Sequence, residues 1–138
     1  GTDGASSNNS LDMFKEMFLV AGLSNLREMD AASIDAMEIL EMATVNGAKA
    51  MGLNKADTLA KGKMADIIMI DLQQPNMQPI HNMAKNIVYS GSKTNVKMTM
   101  INGRILYQNG EYFVGETSQE IYQACERISK RIFEGREN

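Results

Sequence analysis

Apolar residues recur with a helical period through the first third of the chain. A first helix is predicted to begin at Ser10, a residue type that favours N-caps, and to end at Gly22. Its apolar face combines residues three or four positions apart: Leu11, Phe14, Phe18 and Ala21. A second helix is predicted from Ser33, and a short third helix from Thr44, its predicted cap, to Met51.

Strand patterns replace the helical period in the second half of the chain. The continuous apolar run Ile67–Ile70 predicts a strand that is buried on both faces. Residues 83–89 favour a short helix, and the alternation over residues 96–101 predicts a half-buried strand. The two structural units are expected to meet near residues 52–62.

Two Asn-Gly pairs predict tight turns between strands. Asn102-Gly103 separates two strand patterns, and a second Asn-Gly pair, Asn109-Gly110, follows a few residues later. This pair favours a type I′ turn because both central residues of that turn need positive φ. A strand hairpin is therefore predicted here.

A last amphipathic helix is predicted to follow the hairpin. Thr117 and Glu120 have the spacing of a capping box. The predicted apolar face consists of residues on one side of the helix: Ile121, Cys125, Ile128 and Ile132. Cys125 is expected to be a small buried apolar residue.

Length and composition narrow the class of protein. The chain has 138 residues, whereas a complete (β/α)₈ barrel needs about 250. The net charge of −3 argues against a nucleic-acid surface, which needs a basic patch. No apolar run approaches the about 20 residues that span a bilayer. Cys125, the single cysteine, cannot form an internal disulfide, which fits a cytoplasmic protein.

The chemistry available to these residues is limited. A catalytic zinc site needs three protein ligands and an open position, but the chain has one histidine, His81, in a predicted loop, and one cysteine. His81 is expected to lie at the surface or to pack within a loop. The 12 methionines are expected to fill the core. Gly62-Lys63 lacks the glycine spacing of a phosphate loop.

The polar segment at residues 1–9 contains the one suggestive cluster. Asp3 lies among glycine and serine residues, with Ser6, Asn8 and Asn9 close by in sequence. Taken alone, Asp3 is best interpreted as a turn residue, because aspartate forms Asx-turns on such loops. The residues by themselves therefore predict an α+β domain with one unusual aspartate loop.

Three segments resemble the amidohydrolase superfamily, in its methylthioadenosine/S-adenosylhomocysteine deaminase and chlorohydrolase-like branch. Residues 1–14, which begin Gly-Thr-Asp-Gly, look like the segment after barrel strand eight in that branch. Residues 42–53 look like the helix before its small domain, and residues 62–71 look like the return into its β-sandwich. The hairpin over residues 98–109 is similar to one that ends a typical chain of the family.

This resemblance implies an architecture. The fold expected is an α+β fragment: the terminal helices of a (β/α)₈ barrel, part of a small β-sandwich and a C-terminal helix. Residues 1–52 would end the barrel, residues 53–115 would belong to the composite sandwich, and residues 116–138 would form the last helix. The chain is thus expected to be the C-terminal part of a longer enzyme.

The resemblance also implies a function. Asp3 matches the family's strand-eight aspartate, which contacts the catalytic metal and takes a proton from the water that the metal activates. Ser6, Asn8 and Asn9 match the adjoining loop at the mouth of the active site. The family's His-x-His pair, its other histidines and its acid-base glutamate have no counterpart here, so no metal is expected to bind tightly to this chain alone.

The complete protein is accordingly expected to deaminate an adenosine-like nucleoside by hydrolysis, with zinc or iron as cofactor. It is expected to be a cytoplasmic homo-oligomer without nucleic-acid or membrane partners. Two alternatives stay open: another amidohydrolase, acting on a guanine-like base, a triazine or a cyclic amide, and a non-catalytic folding or oligomerisation domain.

Overall fold

The computed structural model describes residues 1–134. Three helices precede the first strand of a small antiparallel sheet, a further short helix lies between its first two strands, and a final helix follows the sheet. The α-helices are α1 (Met13–Glu28), α2 (Ala36–Glu41), α3 (Gly47–Ala50), α4 (Met83–Lys85) and α5 (Ser118–Glu134). The strands are β1 (Ile67–Ile70), β2 (Val96–Ile101), β3 (Arg104–Gln108) and β4 (Glu111–Tyr112). Single π-helical turns extend two of the helices, at Met42–Asn46 after α2 and at Asn86–Ser90 after α4.

Helix α1 differs from its prediction at both ends. Its N-cap is Asp12, whose side chain accepts a hydrogen bond from the Phe14 amide, and the predicted cap Ser10 instead accepts one from Lys15 Nζ. The helix continues through Gly22 and ends where Met29 adopts a left-handed conformation with φ 52°. A mid-helix glycine costs only about 1 kcal/mol relative to alanine, which the buried face of α1 offsets.

The second and third predicted helices form one continuous helical segment. Helix α2 is capped by Asp35 rather than Ser33, and the π-helical turn joins it to α3 without a break. The Thr44 hydroxyl donates to the Leu40 carbonyl at 2.6 Å, so Thr44 bonds back to its own helix and caps nothing. The helix start that the sequence predicted at Thr44 does not occur in the structure.

The sheet confirms the predicted turns. The strands pair antiparallel in the order β1-β2-β3-β4. Asn102 and Gly103 have φ of 49° and 78°, and Asn109 and Gly110 have φ of 49° and 95°, so both pairs provide the positive φ that a tight hairpin needs.

The prediction that β1 is buried on both faces is wrong for the described chain. The side chains of Ile68 and Met69 are 54% and 55% exposed. Successive residues of a strand point to opposite faces, so β1 has one exposed residue on each face. Ile70, at the end of the strand, packs against the core. The apolar run therefore indicated a strand correctly, but its two central residues are not covered within residues 1–134.

The core lies where α1 and α2 pack against the turn at Asn86–Ser90. Its buried residues come from all three elements: Phe14, Met17, Ala21, Ala36, Ile39 and Val88. The backbone at Gly91 lies directly against the Phe14 ring. A Cβ at this position would lie 2.8 Å from Phe14 Cδ1 and 2.4 Å from the Ile87 carbonyl oxygen. Only glycine allows the Phe14 ring to approach the backbone this closely.

Part of the predicted apolar face of the first helix is exposed, and so are many of the methionines. Leu11 and Phe18 are each 53% exposed, and Leu11 precedes α1 with φ 43°. Among the methionines, Met17, Met77 and Met98 are buried, but twice as many are exposed: Met29, Met37, Met42, Met51, Met69 and Met83. The prediction that methionines fill the core is therefore wrong for about half of them.

Helix α5 confirms its predicted capping box. The amide and hydroxyl of Thr117 both donate to Glu120 Oε2 at 2.7 Å, and the Glu120 amide donates back to the Thr117 hydroxyl. These bonds hold the pKa of Glu120 below its ordinary value. None of the residues in α5 is buried, and Cys125 is exposed, contrary to prediction, because no described element packs against this face. Residues 135–138 of the predicted helix lie outside the described residues.

No helix within residues 1–134 is both long and apolar enough to cross a membrane. The predicted division of the chain at residues 1–52, 53–115 and 116–138 stays a prediction.

Candidate active site

Asp3 lies on an exposed loop before α1, in a left-handed backbone conformation with φ 57°. Its Oδ1 accepts a hydrogen bond of 2.7 Å from the Gly4 amide. The Thr2 hydroxyl donates to the Asp3 carbonyl at 3.3 Å. Within residues 1–134 no hydrogen bond reaches Oδ2, so one oxygen of the carboxylate is held by the backbone and the other is available to a ligand or to water.

Asn8 does not point away from the protein, as a substrate-contacting residue would. Its amide donates to the Gly4 carbonyl at 3.0 Å, and its side-chain oxygen accepts from the Ser10 amide at 2.9 Å. Its side-chain nitrogen donates to Glu16 Oε1 at 2.6 Å. Asn8 therefore organises the loop and links it to α1.

Ser6 and Asn9 are both exposed. The Ser6 hydroxyl lies 3.8 Å from the position a Cβ on Gly4 would take. The backbone closes a turn from Gly4 to Ser7, in which the Ser7 amide donates to the Gly4 carbonyl at 2.9 Å. Ser6 lies in this turn and Asp3 directly precedes it, whereas the Asn8 side chain is bonded to α1 through Glu16.

A metal ion has few ligands in this chain. No cluster of three or more His, Cys, Asp or Glu side chains that could hold a metal occurs within residues 1–134. His81 is exposed on a loop, as predicted. A single carboxylate such as that of Asp3 could supply one ligand at most, and a zinc site needs several, so the described residues do not fit a complete metal site.

Glu16 is the residue of this region that the sequence did not single out. It lies in the first turn of α1 and, with the backbone of Gly1, borders a small cleft of about 50 Å³ between α1 and the end of α2. The rest of that lining is apolar: Met13, Met17, Val20, Ile39, Met42 and Ala43. An acidic residue at the start of a helix usually interacts favourably with the helix dipole and needs no other explanation. The sequence therefore gave no reason to expect a contact between Glu16 and Asn8.

Comparison with known proteins identifies the family. The model of the Amidohydrolase family matches residues 1–106, and the chain belongs to this family. The resemblance indicated by the Asp3 loop and the two later segments is thereby confirmed.

The similar proteins include several nucleoside deaminases. The chain is 46% identical over 112 residues to the 5-methylthioadenosine/S-adenosylhomocysteine deaminase of Desulfovibrio desulfuricans, covering 81% of this chain and 26% of that protein. It is 39% identical over 124 residues to the 5′-deoxyadenosine deaminase of Methanosphaera stadtmanae, covering 90% of this chain and 29% of the relative. The chain thus spans less than a third of the relatives it matches.

Solved structures share the fold. An adenosine deaminase from Xanthomonas campestris with bound zinc superposes with a TM-score of 0.85 at 31% identity, over 94% of this chain and 30% of that chain. The E241Q mutant of atrazine chlorohydrolase TrzN from Arthrobacter aurescens, with zinc and atraton, gives a TM-score of 0.74 at 22% identity, over 89% of this chain and 28% of the other. The second likeness concerns the fold alone.

Proposed function

We propose that this chain forms part of the active site of a larger enzyme that hydrolytically deaminates an adenosine-like nucleoside. The observation that carries the proposal is the Asp3 loop, which lies inside the segment that matches the Amidohydrolase family. The names of the relatives, methylthioadenosine/S-adenosylhomocysteine deaminase and 5′-deoxyadenosine deaminase, support a purine nucleoside as substrate.

In this proposal Asp3 is the proton acceptor of the reaction. A divalent metal, zinc or iron, would supply a water whose pKa is lowered towards neutrality. Gly4 orients the carboxylate by donating to Oδ1, and Oδ2 is then placed to accept a proton from the attacking water. The hydroxide part of the water would add to the amino-bearing carbon of the purine, and the proton held by Asp3 would pass to the amino group. The C–N bond would then break, the amino group would leave as ammonia, and the added oxygen would become the ring carbonyl as its remaining proton moves to the ring nitrogen.

The rest of the site belongs to segments other than residues 1–134. The described residues provide one carboxylate, so the remaining metal ligands would come from barrel strands of the complete protein. Residues 1–52 would then end the barrel, and residues 53–115 would join a composite sandwich. A cytoplasmic homo-oligomer is part of this proposal.

The exposed apolar residues of α1 support the presence of covering segments. Leu23 and Leu26 are 63% and 69% exposed, on the side of α1 away from the core. Contiguous apolar surface of this kind marks an interface with another element or subunit. In the complete protein we expect this side of α1 to be covered.

A second candidate substrate class is a triazine or another cyclic amidine. The fold of this chain is shared with atrazine chlorohydrolase TrzN, but the identity of 22% is well below that with the nucleoside deaminases. A non-catalytic folding or oligomerisation domain remains the alternative from another class.

A substrate panel on the complete protein tests the proposal. Ammonia release should be fast with 5′-methylthioadenosine, S-adenosylhomocysteine and 5′-deoxyadenosine. For guanine and an amino-substituted triazine, which also release ammonia on hydrolysis, kcat/KM should be at least about 10²-fold lower, because a site built to bond a polar group rejects analogues that lack it. A higher kcat/KM for the triazine or guanine would show that the protein acts on the alternative substrate class. The absence of ammonia release from every compound would favour the non-catalytic alternative.

A further inference from the structure

We infer that Glu16 is a positioning residue that holds the Asp3 loop in its working geometry through Asn8. The inference rests on the proposed function, because it assigns to Glu16 a role in placing the proposed proton acceptor. It concerns residues that the chain itself contains and needs no ligand from elsewhere.

The contact between the loop and the helix is short and charge-assisted. Asn8 Nδ2 donates to Glu16 Oε1 at 2.6 Å, and both side chains are half-buried. Hydrogen bonds to an ionised carboxylate are about twice as strong as those between neutral groups. The bond to Glu16 therefore ties residues 1–9 to α1.

Asn8 passes this restraint directly to the turn that carries Asp3. Its amide bonds to the Gly4 carbonyl, and Gly4 in turn bonds through its own amide to Asp3 Oδ1. The path from Glu16 to the Asp3 carboxylate thus runs through two residues. Displacing Asn8 would displace Gly4 and turn the carboxylate.

The loop is bonded to α1 after Asp3, because Asn8, five positions further along the chain, donates to Glu16. Before Asp3, Gly1 lines the same small cleft as Glu16 and Val20, so the start of the loop passes along the same helix. The one hydrogen bond that fixes the loop to Glu16 is therefore the one from Asn8.

Helix α1, which carries Glu16, is itself held in place by the core. The Phe14 ring packs against Gly91, and Met17 is 6% exposed in the core. Both residues flank Glu16 on the helix, so the backbone that carries its carboxylate cannot shift without disturbing the core.

Two substitutions separate this role from a general contribution of Glu16 to stability. Glu16→Ala removes the acceptor, whereas Glu16→Gln keeps an oxygen that can accept from Asn8 Nδ2. In the complete protein we expect Glu16→Ala to lower kcat by about 10²-fold with a smaller change in KM, since misplacing a catalytic group by about 1 Å has this effect. Glu16→Gln should restore most of the loss.

The matched control is Glu28→Ala on the same helix. Glu28 pairs with Arg27 at 3.1 Å on an exposed surface, far along α1 from the loop. Its removal should leave kcat and the exchange rates of the loop amides unchanged. Asn8→Ala removes the other partner of the same bond and should match Glu16→Ala, and the double variant should lose no more than either single one.

Hydrogen exchange of the Ser7, Asn8 and Ser10 amides in the complete protein provides the second readout, because all three are bonded within the loop. We expect exchange about tenfold or more faster in Glu16→Ala, the effect of losing a hydrogen bond to a charged group, and near wild-type exchange in Glu16→Gln. Unchanged exchange and unchanged kcat in both Glu16→Ala and Asn8→Ala would overturn the inference. If Glu16→Ala exchanges faster but the wild type deaminates no nucleoside, the proposed function is overturned and the link between Glu16 and the loop stands.

Discussion

The Asp3→Asn variant of the complete protein should lose at least about 10²-fold in turnover, since general-base steps contribute typically 10²–10⁴-fold. Asparagine can keep the hydrogen bond from the Gly4 amide and tolerates the left-handed backbone of position 3. It cannot accept a proton at the position of Oδ2, because a neutral amide is a far poorer base. Steady-state ammonia release with matched metal content is the measurement.

Asp30→Asn is the control for this substitution. Asp30 is another exposed aspartate whose Oδ1 accepts a local backbone hydrogen bond, at 2.9 Å from the Ala32 amide. It has no proposed part in the reaction, so its replacement should leave turnover unchanged. Turnover by Asp3→Asn equal to that of Asp30→Asn would show that Asp3 is only a turn residue.

Phe14→Ala should destabilise the chain by about 3–5 kcal/mol, the usual result of truncating a buried phenylalanine. Phe14 is 7% exposed and packs against Gly91 at the centre of the core. The cavity left behind would be bordered by backbone that cannot collapse easily. The free energy of unfolding, from urea titration of residues 1–138, is the measurement.

Phe18→Ala is the matched control one turn along α1. Phe18 is 53% exposed, so its truncation in this chain should change the free energy of unfolding by only about 0.5 kcal/mol, as for other surface substitutions. A loss from Phe18→Ala as large as that from Phe14→Ala would contradict the assignment of the core.

Local chemistry explains which elements the sequence predicted well. The turns at Asn102-Gly103 and Asn109-Gly110 depend on backbone conformations that few residue types adopt, and the cap at Thr117 depends on a partner three residues away. These turns and this cap are each determined by residues within a few positions in the sequence. They were therefore predictable without knowledge of the tertiary structure.

Burial was predicted less well because it depends on distant partners. An apolar stripe predicts a buried face only if another element is there to cover it, and α5 has no such element within residues 1–134. The same reason accounts for exposed Cys125 and for the two exposed residues of β1. For Gly22, packing of the whole α1 face outweighed a single residue's preference to end the helix.

The candidate site was predictable only in part. The composition of the loop singled out Asp3, and the resemblance supplied its proposed role. The link from Asn8 to Glu16 joins residues eight positions apart with no periodic pattern, so only the folded loop reveals it.

The most direct test of the central claim compares residues 1–138 with the complete protein in one ammonia-release assay. The claim is that this chain supplies a single carboxylate of a metal site whose other ligands lie elsewhere. With zinc, iron or manganese added, the isolated chain should release no ammonia from 5′-methylthioadenosine or S-adenosylhomocysteine, whereas the complete protein should turn over both. Turnover by the isolated chain would contradict the account, as would a complete protein that is inactive on both nucleosides.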